Sequence, residues 1–200
     1  MANRVATVDL VDIGGGNSGS VKRCLDRLNV SYQNVGIDNP PDGTNPLILP
    51  GVGAFGPVMK HLQQAGFDRR LKDLINRGTP YLGICIGMQI LFDSSEEAAD
   101  SLGLGILSGD VVSFKVGKVP QIGWNLIEPK RNGAPKGHVY FVNSYYARPE
   151  NEEVVSYQAH YHVPFCAAVE HENITAFQFH PEKSGNFGEE LLKRWLSELP

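Results

Sequence analysis

The sequence has few of the features that mark secreted, membrane-spanning or nucleic-acid-binding proteins. Its three cysteines, Cys24, Cys85 and Cys166, are an odd number with no closely spaced pair, which argues against a disulfide framework and a zinc site. No apolar run approaches the length of a membrane span, and the first residues lead directly into an apolar segment without a signal-peptide pattern. We therefore expect a cytoplasmic protein with reduced thiols.

The chain also has no basic cluster, no low-complexity tract and no internal repeat. Its formal net charge of -4 over 200 residues argues against nucleic acid or an anionic membrane as the main partner. With 42% hydrophobic and 20% charged residues, a chain of this length can bury a substantial core. We expect one domain spanning residues 1–200, without a metal or cofactor.

Short apolar runs alternate with helical patterns in the first half, which predicts a parallel sheet covered by helices. Strands are expected at residues 5–11, 30–35, 47–49 and just before 85, with a turn at 14–16. Helices are expected at residues 18–28, 55–62 and 67–75.

The pattern changes to strands after residue 105, at residues 106–116, 121–127, 139–145, 154–158, 165–170 and 174–178. Some of these strands should pair antiparallel. Residues 184–199 repeat apolar side chains at helical spacing, which predicts an amphipathic helix with Ser184 as its N-cap. The expected fold class is α/β, with a central mainly parallel sheet flanked by helices and additional antiparallel strands in the C-terminal half.

A Gly-x-Cys-x-Gly turn follows the apolar run that begins at Pro80 and leads into a helical pattern. Such a turn is typical of a nucleophile elbow, in which Gly83 and Gly87 leave room for a helix packed over a strand. A thiol at a helix N-terminus is favoured as the thiolate, and nearby N–H groups can bind an oxyanion. Cys85 is the candidate nucleophile. The alternative is a buried structural cysteine between two loop glycines.

A thiolate needs a base, and His180 stands out among six histidines. It ends an apolar strand pattern, precedes a proline and has Glu182 two residues on, so both side chains can lie on one side. Glu182 could fix the tautomer and leave the other ring nitrogen for Cys85. The alternative is a surface histidine beside a solvated glutamate. The remaining histidines are read as structural or exposed: His61, His138, His160, His162 and His171.

A third element is the apolar strand at residues 47–49, which breaks into a glycine loop containing Gly51 and Gly53. Glycines let backbone N–H groups turn toward a ligand, as an oxyanion hole requires. An ordinary strand-to-helix turn would look the same. The glycines at 14–16 do not match the spacing of a nucleotide-binding loop.

Together, these motifs resemble those of the class I triad glutamine amidotransferases over essentially the whole chain. The class is indicated by residues 83–89 and 180–182. Within it, the chain is similar to the glutaminase subunits of imidazole glycerol phosphate synthase in histidine biosynthesis, through residues 12–17, 50–55, 123–125, 140–145 and 181–184. Related members of the class usually have Pro-Gly-Gly where this chain has Pro-Gly-Val-Gly.

The resemblance implies that Cys85 attacks the side-chain amide of glutamine, with His180 moving protons and Glu182 orienting the imidazole. A γ-glutamyl thioester forms, ammonia leaves and water frees glutamate. The implied oxyanion hole combines the N–H of Ile86 with a backbone amide at Gly51 or Val52, in a loop that must first reorient. The implied substrate-binding residues are Gln89, Glu97, Ser144 and Tyr145.

The resemblance also implies a partner, a (β/α)8 cyclase subunit that receives the ammonia within a heterodimer. Trp124, Asn125, Tyr140 and Lys183 resemble positions near that interface. Their alternative readings are core aromatic residues and a surface lysine.

Two positions depart from the usual family pattern, because Ile13 stands where tyrosine is common and Asn143 where histidine is common. Asn143 keeps a hydrogen-bonding side chain but does not titrate near neutral pH, so it cannot transfer protons as that histidine could. Two other functions remain open. One is an amidotransferase for another acceptor, such as the glutaminase of pyridoxal phosphate synthesis, and the other is a catalytically silent binding module.

Overall fold

The computed structural model describes residues 7–13, 18–131 and 133–200. The turn expected at residues 14–16, the start of the first expected strand and most of the motif at 12–17 lie outside the described residues.

Twelve strands, five α-helices and two short 3-10 helices, Glu152–Val154 and Pro181–Lys183, make up the regular structure of the described residues. The strands are β1 (Val8–Asp12), β2 (Tyr32–Gly36), β3 (Leu47–Leu49), β4 (Tyr81–Ile84), β5 (Ser94–Ser95), β6 (Gly109–Ser113), β7 (Gln121–Pro129), β8 (Gly137–Asn143), β9 (Tyr145–Pro149), β10 (Val155–Tyr161), β11 (Val163–His171) and β12 (Ile174–Phe177). The helices are α1 (Ser18–Arg27), α2 (Phe55–Gln64), α3 (Phe67–Asn76), α4 (Ile86–Gln89) and α5 (Gly185–Ser197).

A nine-stranded sheet in the order β2-β1-β3-β4-β12-β11-β10-β7-β8 organises the molecule. Its first five strands pair parallel, and the remaining pairs are antiparallel. A smaller sheet has the order β5-β6-β9. The predicted fold class is therefore confirmed.

The inner parallel strands are buried on both faces because each face carries its own layer of helices, whereas the edge strand β2 is largely exposed. Every residue of β3 and β4 is buried. One apolar cluster joins the sheet to α2 and α3, and a second joins the opposite face to α1 and α5. The helix expected at residues 18–28 is α1, which buries Val21, Cys24 and Leu25 on one face.

The antiparallel half curls back toward the parallel half. An isolated antiparallel bridge joins Tyr140 in β8 to His180, and the His180 N–H donates to the Tyr140 carbonyl at 2.9 Å. The sheet edge formed by β8 thus returns to the segment that follows β12. The carboxyl ends of β3, β4 and β12 meet at this place, where ligands bind in parallel α/β sheets.

Three local expectations differ from the structure. The strand expected at 139–145 is two strands, β8 and β9, which lie in different sheets and are separated by Ser144. The short strand β5 was not predicted. Ser184 is the N-cap residue of α5 as expected, but its hydroxyl makes no capping bond and donates to the His180 carbonyl instead.

Candidate active site

Cys85 occupies the turn between β4 and α4 in a backbone conformation that non-glycine residues rarely adopt. Its φ is +56° and its ψ is -105°. Its N–H donates to the carbonyl of Phe177 at 2.7 Å, which ties the turn to the neighbouring strand β12. A strained residue at a strand-to-helix turn is held by its surroundings with the side chain presented at the tip.

The two glycines of the motif are required by close backbone packing. A Cβ at Gly83 would lie 2.5 Å from the carbonyl oxygen of Gly87. A Cβ at Gly87 would collide with the carbonyl oxygen of Leu49 in β3. The strand-turn-helix geometry predicted at Cys85 is confirmed, and its reason is that the elbow packs against two strands at once.

His180 and Glu182 form a buried pair beside this elbow. Nδ1 of His180 lies 2.9 Å from Oε1 of Glu182, and the two side chains are only 3% and 4% exposed. Burial alone would lower the pKa of His180, but the interactions with Cys85 and Glu182 outweigh it and raise the pKa from 6.5 to about 9. The imidazole is therefore mostly protonated at neutral pH.

The second ring nitrogen of His180 is left free for chemistry. Within residues 7–13, 18–131 and 133–200, Nε2 of His180 and Oε2 of Glu182 are buried without a hydrogen-bond partner. Cys85 is near enough to raise the histidine pKa, but it makes no hydrogen bond of standard geometry with Nε2. Its sulfur instead accepts a contact from Nε2 of Gln178 at 3.7 Å.

Ser184 holds the segment that carries the histidine. Its hydroxyl donates to the His180 carbonyl at 2.6 Å and accepts from the Tyr140 N–H at 2.9 Å. Gly188 packs so closely that a Cβ there would collide with the Pro181 carbonyl. β8 and α5 together therefore position His180.

Gln89 and Tyr145, both expected to bind substrate, lie together in the structure. Gln89 is buried, and its Nε2 donates to the Tyr145 carbonyl at 3.2 Å and to Oε1 of Gln178 at 3.0 Å. Asn143 donates to the same carbonyl at 3.0 Å, while its Oδ1 is buried without a partner among the described residues. Ser144, also expected to bind substrate, is half-buried in the bend between β8 and β9.

Glu97 has a structural contact that the sequence did not predict. Its Oε2 accepts the N–H of Phe55, the first residue of α2, at 2.7 Å. The preceding residue, Ala54, has no side chain that can cap the helix. Glu97 therefore caps α2 from a distant loop, at the end of the glycine loop.

The glycine loop lies directly against the elbow. Gly51 is buried, and a Cβ there would collide with the side chain of Ile86. Val52, the next residue of the loop, is 41% exposed. The loop and the first N–H groups of α4 are thus neighbours, as an oxyanion hole requires.

The four residues expected at a partner interface do not all share one surface. Trp124 is 57% exposed and its ring packs edge-on against that of Tyr140, with centroids 6.0 Å apart. Lys183 is exposed on the turn that follows His180. Asn125 lies on the opposite face of β7, where its side chain donates to the His160 carbonyl at 2.9 Å and accepts from the Leu126 N–H.

Two relevant residues were missed from the sequence. Gln178 contacts the thiol and is fully buried, and its only signal was a single amide within an otherwise apolar strand. Ile122 is 63% exposed on the same face as Trp124, and strand alternation two residues before Trp124 could have found it.

In the described part of the chain, no group of three or more His, Cys, Asp or Glu side chains is arranged to hold a metal ion. None of the helices described is both long and apolar enough to cross a membrane.

Comparison with known proteins agrees with this geometry. A family model described as "Glutamine amidotransferase class-I" matches residues 9–199. The protein named "Imidazole glycerol phosphate synthase subunit HisH" of Rhodopirellula baltica is 40% identical over 196 residues, covering 94% of this chain and 96% of the relative. The equally named protein of Geobacillus thermodenitrificans is 42% identical, covering 94% of each chain.

Solved structures share the fold at lower identity. One described as "Crystal structure of glutamine amidotransferase" has a TM-score of 0.77 at 21% identity, covering 95% of this chain and 97% of that one. The "Structure of PurLQS from Thermotoga maritima" has a TM-score of 0.76 at 20% identity, covering 98% and 99%.

A cysteine elbow beside a buried His-Glu pair, at the carboxyl edge of a parallel sheet, is the arrangement of a thiol-dependent hydrolase. The chain belongs to the class I glutamine amidotransferase family and, within it, to the HisH subunits of imidazole glycerol phosphate synthase. The family predicted from the motifs is confirmed.

Proposed function

We propose that the chain is the glutaminase subunit of a two-subunit synthase in the cytoplasm. It hydrolyses glutamine to glutamate and ammonia, and the ammonia passes to a cyclase subunit that makes imidazole glycerol phosphate in histidine biosynthesis. The observation that carries this proposal is the strained Cys85 elbow beside the His180–Glu182 pair, in a chain 40% identical to a HisH subunit along its length.

In the first half of the reaction, the Cys85 thiolate attacks the side-chain carbonyl carbon of glutamine. Nε2 of protonated His180 gives its proton to the departing nitrogen, so that ammonia leaves and a γ-glutamyl thioester remains. Glu182 accepts from Nδ1 and thereby directs Nε2 toward the sulfur. The raised histidine pKa supports this step, because an imidazolium is present at neutral pH to act as the acid.

In the second half, water attacks the thioester carbonyl while Nε2 of His180 takes the proton from the water. The carbon–sulfur bond breaks, glutamate leaves and the thiolate is restored. Negative charge develops on the carbonyl oxygen in both halves. The Ile86 N–H and a backbone amide at Gly51 or Val52 stabilise that charge, supported by the packing of the loop on the elbow.

The substrate's charged groups are bound by the polar residues around the elbow. Glutamine carries an α-ammonium and an α-carboxylate, which need polar partners in a pocket. We assign the ammonium to Glu97, which also caps α2, and the amide end to the Gln89 and Tyr145 region. Ser144 lies next to Tyr145 and completes the proposed substrate-binding set.

The cyclase subunit docks on an exposed face of β7 and β8, defined by Ile122, Trp124 and Tyr140, with Lys183 beside it. Two large apolar side chains on this face are more than half exposed. The backbone of Tyr140 is hydrogen-bonded to His180, so a partner on this face lies one residue from the catalytic base. Asn125 is left out of the surface because it lies on the other side of β7.

The deciding experiment measures glutamate release from glutamine by the purified chain. It is run alone and with a histidine-pathway cyclase subunit plus its phosphoribulosyl ligand, beside a Cys85→Ala variant. We expect low activity alone and strong stimulation by the partner that disappears in the variant. Absence of stimulation, in a mixture shown by sedimentation to form the complex, contradicts the proposal and favours another acceptor synthase or a silent module.

A further inference from the structure

Gln178 is a fully buried polar residue that the proposed mechanism does not use. It follows the last residue of β12, its exposure is 0%, and it stands between Phe177 and Phe179 in the core. Burying a carboxamide is costly unless its oxygen and nitrogen both find partners. The hydrogen-bond partners of the Gln178 side chain therefore indicate its role.

A chain of hydrogen bonds determines which end of each amide faces which neighbour. The Tyr145 carbonyl can only accept, so the amide nitrogen of Gln89 must face it, at 3.2 Å. The same nitrogen donates to Oε1 of Gln178 at 3.0 Å. The Gln178 nitrogen must then point the other way, where Sγ of Cys85 lies 3.7 Å off.

We propose that Gln178 is a positioning residue that holds the Cys85 sulfur by N–H donation and connects it to the substrate-binding Gln89. An N–H donor stabilises a thiolate more than a thiol, because the charged sulfur is the stronger acceptor. The connection to Gln89 makes the sulfur contact depend on the group that we place against glutamine. This part of the inference rests on the proposed function, whereas the contact with the sulfur does not.

The neighbouring charges act on the sulfur independently of Gln178. The imidazolium of His180, backed by Glu182, faces the thiol from the segment after β12. Loss of the Gln178 donor should therefore reduce the thiolate fraction without abolishing it.

The test measures the rate of alkylation of Cys85 by iodoacetamide across pH, a readout that needs neither glutamine turnover nor a partner. Gln178→Glu keeps an acceptor for Gln89 and nearly the same shape, but replaces the donor with an oxygen. We expect its alkylation at neutral pH to be slower by about tenfold and the profile to move about one unit to higher pH, since one unit corresponds to a tenfold change. Gln178→Met, which removes donor and acceptor without placing a carboxyl beside the sulfur, should move the profile in the same direction by a smaller amount.

Alkylation of the other two cysteines can be measured separately from that of Cys85. Cys24 and Cys166 are buried, and burial raises the pKa of both thiols, so Cys85→Ala measures their small contribution. Asn173→Leu is a matched control, because it removes a carboxamide with two backbone hydrogen bonds from the opposite end of β12. It should lower stability and leave the pH profile unchanged.

The link to Gln89 has its own test in a double-mutant cycle. Gln89→Leu should slow alkylation in the wild-type background and have no further effect in Gln178→Met. Thermal unfolding verifies that each variant is folded. Profiles that coincide with wild type in both folded Gln178 variants overturn the proposal, and additive effects in the cycle overturn the link. If the Gln178 variants shift the pH profile of alkylation but the wild-type chain has no glutaminase activity with its partner, the proposed function is rejected. The proposed contact between Gln178 and the sulfur is then retained.

Discussion

At the scale of single residues, the site depends on charges that are buried in pairs. Glu182 is only 4% exposed, and one of its oxygens is occupied by His180. A buried carboxylate without its partner is costly, so each member of the pair stabilises the charged form of the other. The consequence is a stability that changes with pH.

Glu182→Gln should destabilise the protein in a pH-dependent way. The folded pKa of His180, about 9, exceeds the ordinary value of 6.5. Its contribution is therefore complete below the unfolded value and is lost as pH rises through the folded value. We expect the difference in unfolding free energy between wild type and variant to be about 1–3 kcal/mol in mildly acidic solution and to shrink above the folded pKa. Urea unfolding at a series of pH values measures it, and a difference independent of pH contradicts the assignment.

Glu97 has a structural role and a proposed substrate-binding role, and two substitutions can test them separately. Glu97→Gln retains an oxygen that can accept the Phe55 N–H but removes the negative charge. We expect little change in stability and a glutamine KM that rises about tenfold or more. Glu97→Ala should show the same KM effect and also lose about 1 kcal/mol of stability with the helix cap. An unchanged KM for both variants, measured with the assembled synthase, would remove Glu97 from the substrate-binding set.

At the scale of elements, the catalytic histidine is held by contacts between β8, the turn at Pro181–Lys183 and α5. Ser184 connects all three, since its hydroxyl bonds to the His180 carbonyl and to the Tyr140 N–H. The Glu182 side chain fixes the ring of His180, whereas the Ser184 hydroxyl fixes its backbone carbonyl. The position of Nε2 relative to the thiol thus depends on this hydroxyl as well as on Glu182.

Ser184→Ala removes a single hydroxyl group but should reduce activity substantially. Loss of two buried hydrogen bonds should cost about 1–3 kcal/mol of stability, and a displaced imidazole should lower kcat about tenfold with little change in KM. Ser197→Ala is the matched control, because that hydroxyl bonds only to the Arg194 carbonyl near the exposed end of the same helix. Its expected change in stability is within about 0.5 kcal/mol. Equal behaviour of the two variants would show that Ser184 does not position the histidine.

At the scale of the whole molecule, the proposed docking surface and the active site share β8. The outward face of β7 and β8 carries Ile122 and Trp124, while the inward face carries Val139 and Phe141, both at 0% exposure. A partner bound outside is therefore separated from the catalytic core by one layer of sheet. The backbone hydrogen bond between Tyr140 and His180 joins the two sites.

Trp124→Ala should weaken the complex with the cyclase subunit at least tenfold, because a large exposed aromatic at an interface centre is typically worth more than 1 kcal/mol. The stability of the isolated chain should change little, as the side chain is 57% exposed. Leu102→Ala is the control, since Leu102 is 68% exposed and lies beside Gln63 of α2 instead of on β7 or β8. Binding is measured by titration calorimetry. Equal affinities for wild type and Trp124→Ala would place the interface elsewhere.

Much of the fold and part of the site could be predicted because their causes are local. The expected helices at residues 18–28, 55–62, 67–75 and 184–199 overlap α1, α2, α3 and α5, since an amphipathic stripe repeats within a few turns. The elbow followed from small residues flanking Cys85, and the His180–Glu182 hydrogen bond from a spacing of two in an extended segment.

What only the tertiary structure decided are the contacts between distant strands. β12 pairs with β4 and thereby places Gln178 on a sulfur 93 positions earlier in the chain, which no local pattern specifies. The same folding directed the Ser184 hydroxyl to the His180 carbonyl and gave Glu97 a helix to cap. The amino-acid sequence alone determined the residues able to do the chemistry, because side-chain type and short spacing are local. Their partners were decided by strand order, because hydrogen bonds between strands join residues without regard to their separation in sequence.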